Sequence, residues 1–186
     1  MLTFENTMSK IQTKLTHPKS KPPAFLLPWL HYIDFLTQKL KSEVGDAQLQ
    51  VIGQRWDSPN WWNKYTLNLD HEQVMHREIL MRSFDECCWY ARTILPHTTY
   101  EVNTVLFDRL NQESLGQLIF NGSAIKRSEL IIYPINEQSL EYYWLNDTMH
   151  QQETELWVRR STFMLQDVWP FYLVEIFLPG LKRVLS

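Results

Sequence analysis

At 186 residues the chain suits one domain with a substantial core and is too short for two ordinary ones. Charged residues make up 21% and hydrophobic residues 44%, the composition of a folded protein, and the net charge is −3. The 18 basic residues are scattered except near the start, which argues against the basic stripe of a nucleic-acid-binding protein.

Residues 1–24 are polar and lysine-rich and run into Lys21-Pro-Pro23, the pattern of a flexible leader before a single domain over 25–186. From Pro28 to Val44, Trp29, Ile33, Leu36 and Leu40 recur at helical spacing with Gly45 as a stop, predicting one continuous helix. Gln48 to Trp56 reads as a strand ended by Asp57-Ser-Pro-Asn60, and Trp61-Trp62 opens an irregular aromatic link. Residues 74–83 and 87–95 alternate as two strands joined at Asp85-Glu86. Thr98, with Glu101 three residues on, forms a capping box for a helix through Val102, Val105, Leu106 and Leu110. Ser114 to Phe120 follows as a short helix or turn.

Strands over 127–133, 155–165 and 170–178 finish the chain, with the polar stretch 134–153 as an exposed loop or extended hairpin tip. Strands and helices do not alternate regularly. The expected fold is therefore α+β: a single domain with a largely antiparallel sheet of about six strands and helices packed on one side.

Several familiar chemistries have no foothold here. Cys87 and Cys88 are adjacent and cannot bridge without strain, so both are expected as free thiols in a reducing compartment. His71 and His76 are five apart, which does not place both on one helical face as zinc ligands. The chain has 5 glycines and no phosphate-binding loop, so neither a cofactor nor a metal is expected. No stretch approaches the ~20 apolar residues of a membrane-spanning helix, and the N-terminus lacks a secretory signal. A cytoplasmic protein without stable membrane insertion is expected, in which Asn121-Gly-Ser123 and Asn146-Asp-Thr148 match the glycosylation pattern by chance.

The most informative stretch is Val168-Trp-Pro-Phe-Tyr-Leu-Val-Glu-Ile-Phe-Leu-Pro179, where one carboxylate, Glu175, interrupts an apolar and aromatic run. Desolvating that charge costs several kcal/mol or more unless it is paired or protonated. A matching cation lies upstream: period-two alternation puts Arg77 on one face with Met75, Ile79 and Met81, and His76, Glu78 and Arg82 on the other. Arg77 and Glu175 then form either a structural salt bridge or a closed site for a small anion that also carries a hydroxyl. In the second case the guanidinium fork takes a carboxylate while Glu175 accepts from the hydroxyl.

Five segments extend this pair: Arg77-Glu-Ile-Leu80, Trp89-Tyr-Ala-Arg-Thr-Ile-Leu-Pro96, Ser114-Leu-Gly-Gln-Leu-Ile-Phe120, Trp157-Val-Arg-Arg-Ser161 and Glu175-Ile-Phe-Leu-Pro179. In this order, over roughly residues 26 to 179, the chain resembles the chorismate pyruvate-lyase family. That resemblance implies conversion of chorismate to 4-hydroxybenzoate and pyruvate, the first committed step toward ubiquinone, by a monomer with no metal or organic cofactor. It also implies that Arg77 binds the ring carboxylate and Glu175 partners the ring hydroxyl, with Leu36 and Leu115 lining the site partly through backbone groups. Many members carry Met where this chain has Leu36. Arg92, Arg127, Arg159 and Arg160 are further candidates for the enolpyruvyl carboxylate, and since Arg159 and Arg160 alternate, at most one readily faces a pocket. Ligand-binding domains of some bacterial transcription regulators resemble the same fold, so a non-catalytic sensor of small aromatic acids is the alternative.

Overall fold

Residues 20–111, 113–120, 124–150 and 153–186 are described by a computed structural model of the chain. Two three-stranded meanders make one antiparallel sheet. The first holds β1 (Gln48–Asp57), β2 (Val74–Ser83) and β3 (Glu86–Pro96); the second holds β4 (Ile125–Ile135), β5 (Leu156–Leu165) and β6 (Trp169–Phe177). They join along β3 and β6, giving the order β1-β2-β3-β6-β5-β4. The six strands and the α+β architecture match the sequence reading, with strand ends shifted by only a residue or two.

Alternation assigns each strand residue to a face, and the register sets its lateral neighbours. Arg77 pairs with Thr93, Thr93 with Leu173, and Glu175 lies between Ala91 on β3 and Arg159 on β5. The face carrying these residues is covered at its two ends. At one end α1 (Leu27–Leu30), α2 (Leu36–Val44) and α8 (Pro179–Val184) bury Trp29, Leu30, Leu36, Leu40 and Leu181 against Ile79, Met81, Trp89 and Phe177. At the other, α4 (His97–Val102), α5 (Thr104–Asp108) and α6 (Leu115–Phe120) accompany Phe107, Leu110, Leu115 and Leu118 onto Met75, Leu95, Phe163 and Phe171. Arg77, Thr93, Leu173 and Glu175 lie between these two caps.

The opposite face carries smaller elements: α3 (Trp61–Leu67), a 3₁₀ turn (Leu140–Trp144) and α7 (Asp147–His150). Trp62 and Leu145 pack there on Leu80, Tyr90, Ile94 and Val174. No helix among the described residues is long and apolar enough to cross a membrane.

Four local expectations are corrected. The helix predicted from Pro28 to Val44 is broken between α1 and α2, and Ile33 is 70% exposed rather than part of an apolar stripe. The break frees the carbonyls of Trp29, Tyr32 and Ile33, which accept hydrogen bonds from Arg159 and Arg127. Trp61-Trp62 begins a helix, not an irregular link, because Asn60 and Asn63 cap each other reciprocally at 2.9 and 3.1 Å. Thr98 does not cap: its N–H and hydroxyl both donate to Glu72, and the helix divides at Asn103, which caps α5 by accepting from the Leu106 N–H at 3.0 Å. The stretch after β4 is not an open tip, since Glu141 is buried and accepts from the Tyr133 hydroxyl at 3.0 Å. Of the expected leader, residues 1–19 lie outside the described residues, as does Asn121-Gly-Ser123.

Gly180 fixes how α8 meets the sheet. A Cβ there would stand 2.2 Å from the Cys87 carbonyl oxygen, beside the 2.9 Å bond from the Leu178 N–H to the Cys88 carbonyl. Gly180→Ala is expected to destabilise the fold by about 1–3 kcal/mol, the usual effect of overpacking. Chemical denaturation measures this, and an unchanged midpoint would contradict the close docking.

Candidate functional site

β2 turns Arg77 inward beside Thr93, and β6 brings Leu173 and Glu175 alongside. With Leu115 and Gly116 of α6 and Thr37 of α2, these residues line a cavity of about 50 Å³. Arg77 is 2% exposed. One guanidinium nitrogen, Nη2, donates to the Glu113 backbone carbonyl at 3.1 Å; Nε is buried with no partner. No carboxylate among the described residues lies within ion-pair distance of it, although burial alone pulls its pKa down. A guanidinium titrates so high that it stays charged regardless. Arg77 is thus a buried cation with an unmet donor, and it lines a cavity shared with Glu175.

Glu175 pairs with Arg159 rather than with Arg77. β5 sets Arg159 directly opposite it, and Arg159 Nε donates to Glu175 Oε2. Both are almost fully buried, at 2% and 5% exposure. Arg159 Nη1 also donates to the carbonyls of Tyr32 at 2.7 Å and Trp29 at 3.3 Å, so one guanidinium ties Glu175 to the broken helix. The direct Arg77–Glu175 salt bridge is therefore not the arrangement formed. Alternation had given the face of each residue, but lateral neighbours depend on strand order, which alternation does not contain.

The remaining candidates divide by face. Leu115 lines the cavity at the start of α6, where Ser114 and Gln117 hydrogen-bond reciprocally. Leu36 is buried with Trp29 and Trp89, one residue from the lining position Thr37. Arg92 lies on the opposite face, bonded to Glu78 at 2.9 Å and Tyr90 at 3.0 Å, with its guanidinium 3.9 Å from the centre of the Trp144 ring. Arg160 also points away, towards Glu129 at 3.7 Å. Arg127 remains on the site's side, its Nη1 donating to the Ile33 carbonyl at 2.7 Å. The cysteines stand apart from the cavity, and burial pushes the Cys88 thiol up to about 12.

One enclosing contact escaped sequence reading. Phe35, just before α2, sits so close to Gly116 that a Cβ there would meet its ring at 2.1 Å. The absent side chain lets the segment between α1 and α2 close onto α6. Ser-Leu-Gly within an otherwise helical stretch was the only available signal. Among the described residues no three His, Cys, Asp or Glu side chains are grouped to hold a metal.

The chorismate lyase family model matches residues 12–184. A protein from Pseudoalteromonas atlantica named "Probable chorismate pyruvate-lyase" is 31% identical, the match spanning 86% of this chain and 82% of that one. The chorismate pyruvate-lyase of Pectobacterium atrosepticum is 23% identical, over 94% of this chain and 88% of its own. Among solved structures, a GntR-family transcriptional regulator from Bacillus cereus superposes with a TM-score of 0.53 at 16% identity, covering 72% of this chain and 92% of that one. At that identity the likeness is one of fold.

Arg159→Ala leaves Glu175 buried without its cation and is expected to destabilise by about 3–5 kcal/mol, with a large part recovered when Glu175→Gln is added. Equal and additive losses in denaturation would contradict the pairing. Gly116→Ala is expected to dislodge Phe35 and accelerate amide hydrogen exchange across residues 31–37, whereas unchanged protection would show that the contact does not hold this segment.

Proposed function

The chain belongs to the chorismate lyase family, and on that footing we propose that it converts chorismate to 4-hydroxybenzoate and pyruvate, the first committed step toward ubiquinone, without metal or organic cofactor. The observation that carries this reading is Arg77, a buried guanidinium without an acidic partner among the described residues, sharing one cavity with Glu175. Arg77 takes the ring carboxylate through its planar fork of donors. Glu175 accepts from the ring hydroxyl. Leu115 and the start of α2 around Leu36 and Thr37 enclose the ring.

The reaction breaks the ether bond to the enolpyruvyl group and removes the hydrogen from the hydroxyl-bearing ring carbon, and the electron pair left behind completes an aromatic ring. Aromatisation supplies the drive, so the protein has to hold a reactive conformer and stabilise developing charge. In a cyclic step the enolpyruvyl methylene takes that ring proton, and pyruvate leaves directly. We favour an orienting role for Glu175, because a carboxylate engaged by Arg159 would have to weaken that bond to act as a base. The cavity of about 50 Å³ is well below the ~300–1,000 Å³ of small-molecule sites, so it has to widen to admit substrate.

The test is incubation of metal-stripped protein with chorismate, following both products by chromatography. Equimolar 4-hydroxybenzoate and pyruvate from the wild type, abolished in Arg77→Ala, is the expected result. No turnover, with saturable 4-hydroxybenzoate binding that depends on Arg77, would favour the sensor instead. Glu175→Gln is expected to keep turnover near that of the wild type, whereas a loss beyond ~10³-fold would assign Glu175 as a base.

A further inference from the structure

Arg127 is the second cation on the site's face with unmet donors. It comes from β4, opposite Phe163 and beside a register irregularity between Arg127 and Glu129. Its guanidinium lies 5.2 Å from the centre of the Phe163 ring, Nη1 donates to the Ile33 carbonyl, and Nε is buried with no partner. No acidic side chain among the described residues is within ion-pair distance. Arg159 holds the Tyr32 carbonyl and Arg127 the next one along, so the two guanidinium groups approach the same chain segment. Burial and the repulsion of Arg159 lower the Arg127 pKa, while Glu175 and Asp34 oppose this, which places Arg127 within the field of the buried pair.

Strand order puts Arg77 and Arg127 on opposite sides of Glu175. Arg77 is on β2 and Glu175 two strands away on β6; Arg127 is two strands further, on β4. At about 4.8 Å per strand, the two cations start from backbones roughly 19 Å apart and flank the carboxylate between them. Arg159 is already engaged by Glu175 and two carbonyls. On this face Arg77, Arg127, Arg159 and Glu175 sum to two positive charges, matching a dianion, although Arg77 alone of the three cations lines the cavity.

We infer that Arg127 receives the second carboxylate of the substrate, the one on the enolpyruvyl arm. This rests on the lyase reading above, in which chorismate carries two carboxylates and 4-hydroxybenzoate keeps only the one assigned to Arg77. Arg127 therefore tells substrate from product: it holds the dianion and has no carboxylate of the product to grip.

The test compares the KM for chorismate with inhibition by 4-hydroxybenzoate in wild type, Arg127→Gln and Arg127→Lys. Loss of a charge-assisted carboxylate contact is expected to raise KM by roughly 10- to 100-fold in Arg127→Gln while the inhibition constant of 4-hydroxybenzoate stays within about twofold. Arg127→Lys keeps the charge without the fork and is expected to raise KM less, with the same unchanged inhibition constant. If Gln prevents folding, the lysine variant alone carries the comparison. An unchanged KM, or a parallel weakening of substrate and product as expected if Arg127 only fastens the Ile33 segment, would overturn the assignment. Failure of the wild type to turn over chorismate would instead remove the reading on which it rests.

Discussion

A guanidinium taken out of water without a carboxylate beside it is a standing penalty, and Arg77 carries that penalty at the middle of the sheet. Desolvation of an ion costs several kcal/mol in a folded protein, and one backbone carbonyl offsets only part of that. A fold selected for stability alone would place an acid beside Arg77 or an apolar residue in its position. Here the buried carboxylate lining the same cavity, Glu175, is committed to Arg159 instead. The result is a buried cation that a ligand carboxylate would satisfy, as the proposed function requires.

The rest of this face follows from keeping Glu175 and Arg159 in place. Joining the two meanders along β3 and β6 puts Arg77 on one side of Glu175 and Arg159 on the other. The donors of Arg159 and Arg127 left over after pairing need acceptors, and the break between α1 and α2 supplies them as backbone carbonyls. The same break brings Phe35 onto Gly116, which lines the cavity between the two helical caps. Satisfying the buried arginines and setting Phe35 against α6 thus share one structural cause. It also explains why the apolar spacing through Trp29, Ile33 and Leu36 does not yield a continuous helix.

Much of this was legible in the residues. Alternation located the strands and the inward face of Arg77, because a period of two fixes a face wherever one side is buried. Glu175 stood out because a single charge in an apolar run has to be accounted for. Strand order, however, is not contained in alternation, so the partner of Glu175 could not be chosen among Arg77, Arg159 and the others. The break at residues 31–35 depends on side chains more than 90 positions away, beyond the reach of helical spacing. The Asn60–Asn63 cap was missed because the usual capping box carries Glu or Gln at the third helical position. Thr98 and Glu101 made the opposite error: a good local motif lost to a tertiary acceptor, Glu72.

Thermal unfolding of wild type and Arg77→Met, each with and without 4-hydroxybenzoate, tests the central claim most directly. If Arg77 is held buried for a ligand carboxylate, Arg77→Met removes an uncompensated charge and melts at or above the wild-type temperature when free. It also loses the stabilisation that saturating 4-hydroxybenzoate gives the wild type, which is about 2.7 kcal/mol at one hundred times Kd. A free variant that melts well below the wild type, yet still responds to 4-hydroxybenzoate, would make Arg77 a structural residue and contradict the account.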